Sequence, residues 1–308
     1  MATPTFRAVG TAVYTANSVV TPTNLTPTKN AATQNGDLML CVTASRSNTA
    51  TVSTPTGWTL LTGFPVTSAT ASGGKIYVFS RIADGTGNDA PTVTWTGLAT
   101  GTTGDSASAR ILAWSNAITT QAGTVPAATD TAATTSWTLP GITTTNPNAL
   151  AVGISVKISD VAQTTTVTTF TERSDDATQT GTGHVTQVSE KIQTTTGATG
   201  SGTVTPSDTT SSRVLAVSLA LRAAATSVTA GTPSTVNAAQ AIDRDKKATL
   251  VRPVLTMSAL PLSVHVNTPT APFVEPPVRA ASMASNGRFR TSPSRSIRST
   301  GRGRSGLR

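Results

Sequence analysis

Val214-Leu-Ala-Val-Ser-Leu-Ala-Leu221 decides the fold class: bulky residues occupy alternate positions with small ones between them, the period of two that a pleated strand imposes on its two faces. Ala151-Val-Gly-Ile-Ser-Val-Lys-Ile158 repeats the pattern. One face of each strand is a core face, and the small residues on the other let a covering layer approach closely. Outward from these two stretches, β-rich runs recur at 6–14, 38–44, 75–82, 92–95, 109–115, 167–172 and 185–192. Between them stand Asn35-Gly36-Asp37, Ser72-Gly73-Gly74, Gly85 to Asp89 and Asn146-Pro147-Asn148, turn formers because glycine and asparagine tolerate left-handed backbone and proline cannot donate to a ladder. No segment of the body over 1–222 has the three-and-four apolar spacing of a helix. The expectation is an all-β protein, an antiparallel jelly-roll-like sandwich.

The order of features in residues 35–115 returns in residues 146–218, so the body carries an internal pseudo-repeat. Asn35-Gly-Asp-Leu-Met-Leu-Cys-Val42 is matched by Asn146-Pro-Asn-Ala-Leu-Ala-Val-Gly153, Gly57-Trp58-Thr59 by Thr169-Phe170-Thr171, Phe79-Ser-Arg81 by Val188-Ser-Glu190, and Arg110-Ile-Leu-Ala-Trp-Ser115 by Arg213-Val-Leu-Ala-Val-Ser218. Each half alone offers too few of these runs to close a sandwich, which favours one domain over 1–222.

Gly36-Asp-Leu-Met-Leu40, Pro55-Thr-Gly-Trp-Thr-Leu-Leu61, Tyr77-Val-Phe-Ser-Arg-Ile-Ala83, Ile111-Leu-Ala-Trp-Ser-Asn-Ala117 and Val214 to Arg222 together resemble the jelly-roll domain of tailed-bacteriophage minor tail, fibre and head-surface proteins. The resemblance covers residues 6–222. It implies an outward-facing structural protein of the virion that in some cases touches host glycans, with other virion proteins (tail or capsid subunits) and copies of itself as partners. It brings no catalytic motif and no cofactor, and it stops before residue 223.

Charge divides the chain at the same place. Residues 1–222 hold 11 Lys+Arg against 11 Asp+Glu, and residues 223–308 hold 12 against 3, so a neutral body precedes an extension that carries the whole net charge of +9. Net charge speaks to partners and solubility more than to fold. Residues 223–250 have linker composition, with a short helix expected near 237–247. Residues 251–278 form an extended apolar segment whose Pro253 and Pro261 suit an arm laid on a partner better than an interior strand, with Val254, Leu255, Leu260, Leu262 and Val264 as its docking side chains. Residues 279–308 are an Arg/Ser/Gly-rich tail whose Arg279, Arg288, Arg290, Arg295, Arg298, Arg302, Arg304 and Arg308 dock on an acidic protein surface or, as the lesser reading, on nucleic acid. No apolar run reaches the length of a membrane span, and the start of the chain lacks the apolar core of a secretory signal, so synthesis in a cytosol is expected, and the resemblance implies a virion as the setting.

Chemistry is sparse in this sequence. The single cysteine, Cys41, lies in an apolar run and reads as a core thiol. Of the two histidines, His184 stands at a glycine-rich hairpin entry and reads as a solvated strand end, and neither lies in a nucleophile motif. The carboxylates Glu172, Asp175, Asp176 and Glu190 are the candidates for glycoside cleavage, but Asp175-Asp176 falls in an expected loop, and adjacent residues on an extended chain face opposite ways. Asp84 to Asp89 has oxygen ligands without the spacing of a calcium loop, and Gly301 to Gly306 matches a dinucleotide fingerprint without the flanking strand and helix that would give it meaning. Trp58 and Trp114 alternate with apolar residues across the repeat and are expected in the core. Trp95 and Trp137 sit in threonine-rich surroundings and are expected at the surface, where they would serve the alternative reading of a carbohydrate-binding module for host glycans.

Overall fold

A computed structural model describes residues 1–225 apart from 16–21, 72, 102–103, 124–126, 160, 162–163 and 178–182. The chain divides into two compact units, Met1–Thr235 and Val236–Arg308. The second lies outside the described residues, and with it the expected helix, apolar segment and arginine tail. The first is all-β, and a single 3₁₀ turn, Gly87–Asp89, is the only helical element among the described residues.

The body consists of two jelly rolls in tandem. The main strands of the first are β1 (Thr5–Val9), β2 (Thr23–Leu25), β3 (Leu38–Ser45), β4 (Thr51–Val52), β5 (Thr59–Leu60), β6 (Lys75–Ile82), β7 (Val93–Thr96) and β8 (Ala107–Ser115), with the short strands Val13–Tyr14 and Val66–Thr67 added to its larger sheet. The second repeats the series as β9 (Ala127–Thr134), β10 (Trp137–Leu139), β11 (Ala149–Lys157), β12 (Thr165–Val167), β13 (Thr171–Ala177), β14 (Val185–Gln193), β15 (Gly202–Pro206) and β16 (Ser212–Ala223). Each roll has a main sheet, in the order β1-β8-β3-β6-β5 or β9-β16-β11-β14-β13, and a small sheet, β2-β7-β4 or β10-β15-β12, all antiparallel. Each half is therefore a complete roll, which corrects the expectation that neither could close by itself. The sequence under-counted because the small-sheet strands are two to five residues long and alternate threonine with single apolar residues.

Ladder register makes the repeat quantitative. Leu38 pairs with Ile82 and Trp114, while Leu150 pairs with Ile192 and Leu221, so these residues occupy equivalent places. Two turns match as well: Gly36 and Asn148 both have left-handed backbone (φ 89° and 54°), as do Gly57 and Thr169 (φ 77° and 66°). The sequence match at Gly57 and Thr169 has the right register. The match at Asn35 and Asn146 is one residue out, and Trp114 corresponds to Leu221 rather than Val217.

Three apolar clusters order the sheets into four layers. One lies within the first roll and holds Met39, Cys41, Phe79, Trp95 and Ile111; one lies within the second and holds Trp137, Leu139, Ala151, Phe170 and Val204. The third is shared. Leu38, Leu40, Val42, Ile76, Leu112 and Trp114 of the first main sheet meet Leu150, Val152, Ile154, Val156, Leu215, Val217, Leu219 and Leu221 of the second. The main sheets are thus inner layers, and every residue of β3 and β11 is buried. The bulky face of 151–158 and 214–221 meets the other roll, and the small face receives its own small sheet.

The connection between rolls is a single corner. Thr5 pairs with Ser115 and Ala117 with Ala223, with Asn116 between them at φ 58°. Asn116 Nδ2 donates to Thr3 O at 3.3 Å, and Ala224 N donates to Asn116 O at 2.8 Å.

Candidate functional site

Polar side chains of the body concentrate where the main sheets meet. Arg110, on the interface face of β8, places Nη2 2.5 Å from Asp176 Oδ1 and Nη1 2.7 Å from Ser174 Oγ, both on β13 of the other roll. Tyr14 Oη donates to Asp176 at 3.5 Å. Ser108 Oγ lies 3.2 Å from Thr186 Oγ1, and the hydroxyls of Ser106 and Ser108 hydrogen bond with His184 Nδ1 and Nε2 at 2.7 and 2.8 Å. The cavity lined by Ser108, Arg110, Ser174, Asp176 and Thr186 is about 10 Å³, too small for an organic ligand.

His184 is fully buried, which corrects its reading as a solvated strand end. Burial, reinforced by the positive charge of Arg46, lowers its pKa to about 3, so the ring is neutral at ordinary pH. A serine beside a histidine is the start of a nucleophilic site. Here both ring nitrogens are held by hydroxyls that are themselves buried. Burial raises the Asp176 carboxyl and, with the nearby Asp176 charge, the Tyr14 phenol.

Two further bridges span the joint. Glu190 accepts from Trp114 Nε1 of the first roll and from Arg173 Nε at 2.8 Å, and the Arg173 guanidinium lies 4.4 Å from the Phe6 ring, itself edge-on to Trp114. Asp130 accepts from Ser68 Oγ at 2.8 Å and Ala69 N at 2.9 Å while paired with Arg213 at 2.8 Å. The arginines of these bridges are 20–29% exposed, so each pair contributes roughly 1 kcal/mol or less, against about 1.5–3 kcal/mol for one buried leucine. Adhesion between the rolls is therefore apolar, and the polar pairs set which surfaces fit.

Among the sequence candidates, Asp175 and Asp176 lie on a strand, not a loop, and do point to opposite faces. The β13 ladder slips one residue between Glu172 and Ser174, so Arg173 and Ser174 both turn toward the joint while Glu172 and Asp175 share the far side. There Thr165 Oγ1 donates to Glu172 Oε2 at 2.8 Å. Burial, and then the charge of Glu172, push Asp175 up to about 7. This carboxyl pair escaped the sequence, because a bulge leaves no mark in a run of polar residues. Asp176 and Glu190, by contrast, are committed to arginines across and beside the joint.

Trp95 and Trp137 are buried, and their assignment to the surface is corrected. Trp95 Nε1 donates to Thr43 Oγ1 at 3.0 Å, and its ring stands edge-on to Tyr77. Trp137 packs in the second roll's core beside its ladder partner Val204. The threonines around them are the outward residues of alternating strands, so polar neighbours signalled an inward tryptophan. Trp58 and Trp114 are buried as expected, as is Cys41, whose thiol burial pushes well above its ordinary range.

The Asp84 to Asp89 turn is filled by the protein's own cations. Arg81 pairs with Asp84 at 2.5 Å and Asp89 at 3.1 Å, and Lys29 with Asp89 at 2.9 Å. Among the described residues no group of three or more His, Cys, Asp or Glu side chains is placed to hold a metal, and no helix is long and apolar enough to cross a membrane. Two open grooves run along the joint: one of about 260 Å³ between Thr59–Thr62 and Thr119–Gln121, and one of about 290 Å³ between Arg46 and Ile158, Ser159, Val161, Thr210 and Ser212. Among the described residues, neither is lined by a carboxylate or histidine. The docking residues expected at Val254, Leu255, Leu260, Leu262 and Val264 and the arginines from Arg279 to Arg308 lie outside the described residues. No family model, curated protein or solved structure matches the chain.

Proposed function

We propose that this protein is a non-enzymatic structural component of a bacteriophage virion, a paired jelly-roll body displayed outward and held to neighbouring tail or capsid subunits by its C-terminal extension. The observation that carries the reading is the partition of charge: a body with 11 Lys+Arg against 11 Asp+Glu, followed by an extension with 12 against 3. A body without net charge exerts little long-range pull on charged surfaces, and a cationic segment attaches to acidic ones. Internal geometry supports an inert role, since the ionisable clusters at the joint are engaged with one another. The glycan reading loses the two tryptophans on which it rested.

Binding to purified particles that lack this component tests the proposal, with the full chain compared against a chain ending at residue 225 across a range of salt. The full chain is expected to bind, more weakly as salt rises, and the shortened chain to stay free. Equal binding by both would overturn the anchoring role. A separate measurement on duplex DNA distinguishes the acceptor, because eight arginines engaged with phosphates would give a slope of log K against log salt of about −7.

A further inference from the structure

Across the joint, the polar contacts of Arg110 and Ser108 have apolar mates when first roll and second roll are exchanged. From the ladder registers, Arg110 is equivalent to Val217 and Ser108 to Leu215. Likewise Thr186 is equivalent to Ile76, and Asp176, which pairs with Thr186, to Val66, which pairs with Ile76. A twofold interface answers each contact with its mate, first roll and second roll exchanged. The salt bridge of Arg110 with Asp176 is answered by Val217 and Val66, and the contact of Ser108 with Thr186 by Leu215 and Ile76; Val217, Leu215 and Ile76 belong to the shared cluster and Val66 packs against it. Even the contact of Ser106 with His184 has its mate. Arg213 is the equivalent of Ser106, and its Cδ lies 2.7 Å from where a Cβ would stand on Gly73, beside Gly74, the equivalent of His184.

Like pairing fails on this pattern. Two first rolls would set Arg110 against Val66 and Ser108 against Ile76, twice over. Two second rolls would set Asp176 against Val217. Each arrangement sets a charge against an apolar side chain with no opposite charge to answer it. We infer that the main-sheet face of the first roll is a heterotypic recognition surface, whose partner is a second roll and which rejects a copy of itself. The polar pairs select the partner and the shared cluster holds it. This inference stands apart from the virion reading.

The test uses the full chain with a protease site inserted at Asn116 and cut after folding. The two fragments are expected to travel as one 1:1 complex in size exclusion and native mass spectrometry; separation on cutting would overturn the inference. Two such preparations, one with its first fragment mass-tagged, are then mixed in mild urea and returned to buffer. Mixed pairs of first with second fragment are expected, and like pairs at a detectable level would overturn it. A charge exchange on the cut complex decides the matter without any unfolding. Arg110→Asp and Asp176→Arg are each expected to shorten its lifetime about tenfold or more, and the double variant to recover to within about threefold of the original. Additive losses in the double variant would show that this pair does not select.

Discussion

At the scale of single residues, two buried groups pull stability in opposite directions as pH changes. His184 falls from its ordinary 6.5 to about 3 in the fold, so between those values the unfolded chain binds the extra proton and stability rises with pH. Asp175 rises from 3.8 to about 7, so in its window the folded chain binds the extra proton and stability falls as pH rises. The contributions oppose each other from 3.8 to 6.5, and single substitutions unmask them. Relative to the parent, Asp175→Asn is expected to gain in Tm from pH 4 to pH 8, and His184→Gln to gain from pH 7 down to pH 4, each by roughly 3–6 °C. A difference from the parent that stays flat across these ranges would show that the group is not perturbed. Neither environment was legible in the sequence, since His184 is flanked by Gly183 and Val185 and its two serine partners arrive from residues 106 and 108.

Elements were legible wherever alternation was strong and long. β3, β6, β8, β11, β14 and β16 lie close to the runs read from sequence, because eight to twelve residues of period two leave little room for another assignment. The run 167–172 instead splits into β12 and β13 around the turn at Thr169, and β9 was missed, its Ala-Ala-Thr-Asp-Thr-Ala-Ala-Thr lacking bulky side chains. Arg110 did leave a signal, a charge on the core-facing parity of an otherwise apolar strand. What sequence lacked was the partner strand from the other roll. Closeness of the sheets is itself testable at Gly153, where an added Cβ would stand 2.7 Å from Leu139 Cδ1. Leu139 is fully buried, so Gly153→Val is expected to cost about 1–3 kcal/mol, read from the urea midpoint. An unchanged midpoint would mean that β10 moves aside freely.

For the molecule as a whole, the shared apolar cluster makes each roll part of the other's core. The full chain is therefore expected to unfold in one calorimetric transition, with van't Hoff and calorimetric enthalpies in agreement. Two resolved transitions would mean rolls that fold independently and merely touch. The repeat was visible in the order of turns and strands, yet the sequence could not say that the bulky alternate face belongs to a joint between two rolls. Nothing in a hydrophobic period names the layer it will meet. The corner at Asn116 carries a last consequence. The chain enters the body beside it, passes from one roll to the next through it and leaves the body against it. Thr3 and Ala224 are both clasped at this one corner, so tension applied between those two residues would act on the clasp and leave the ladders of the rolls unloaded.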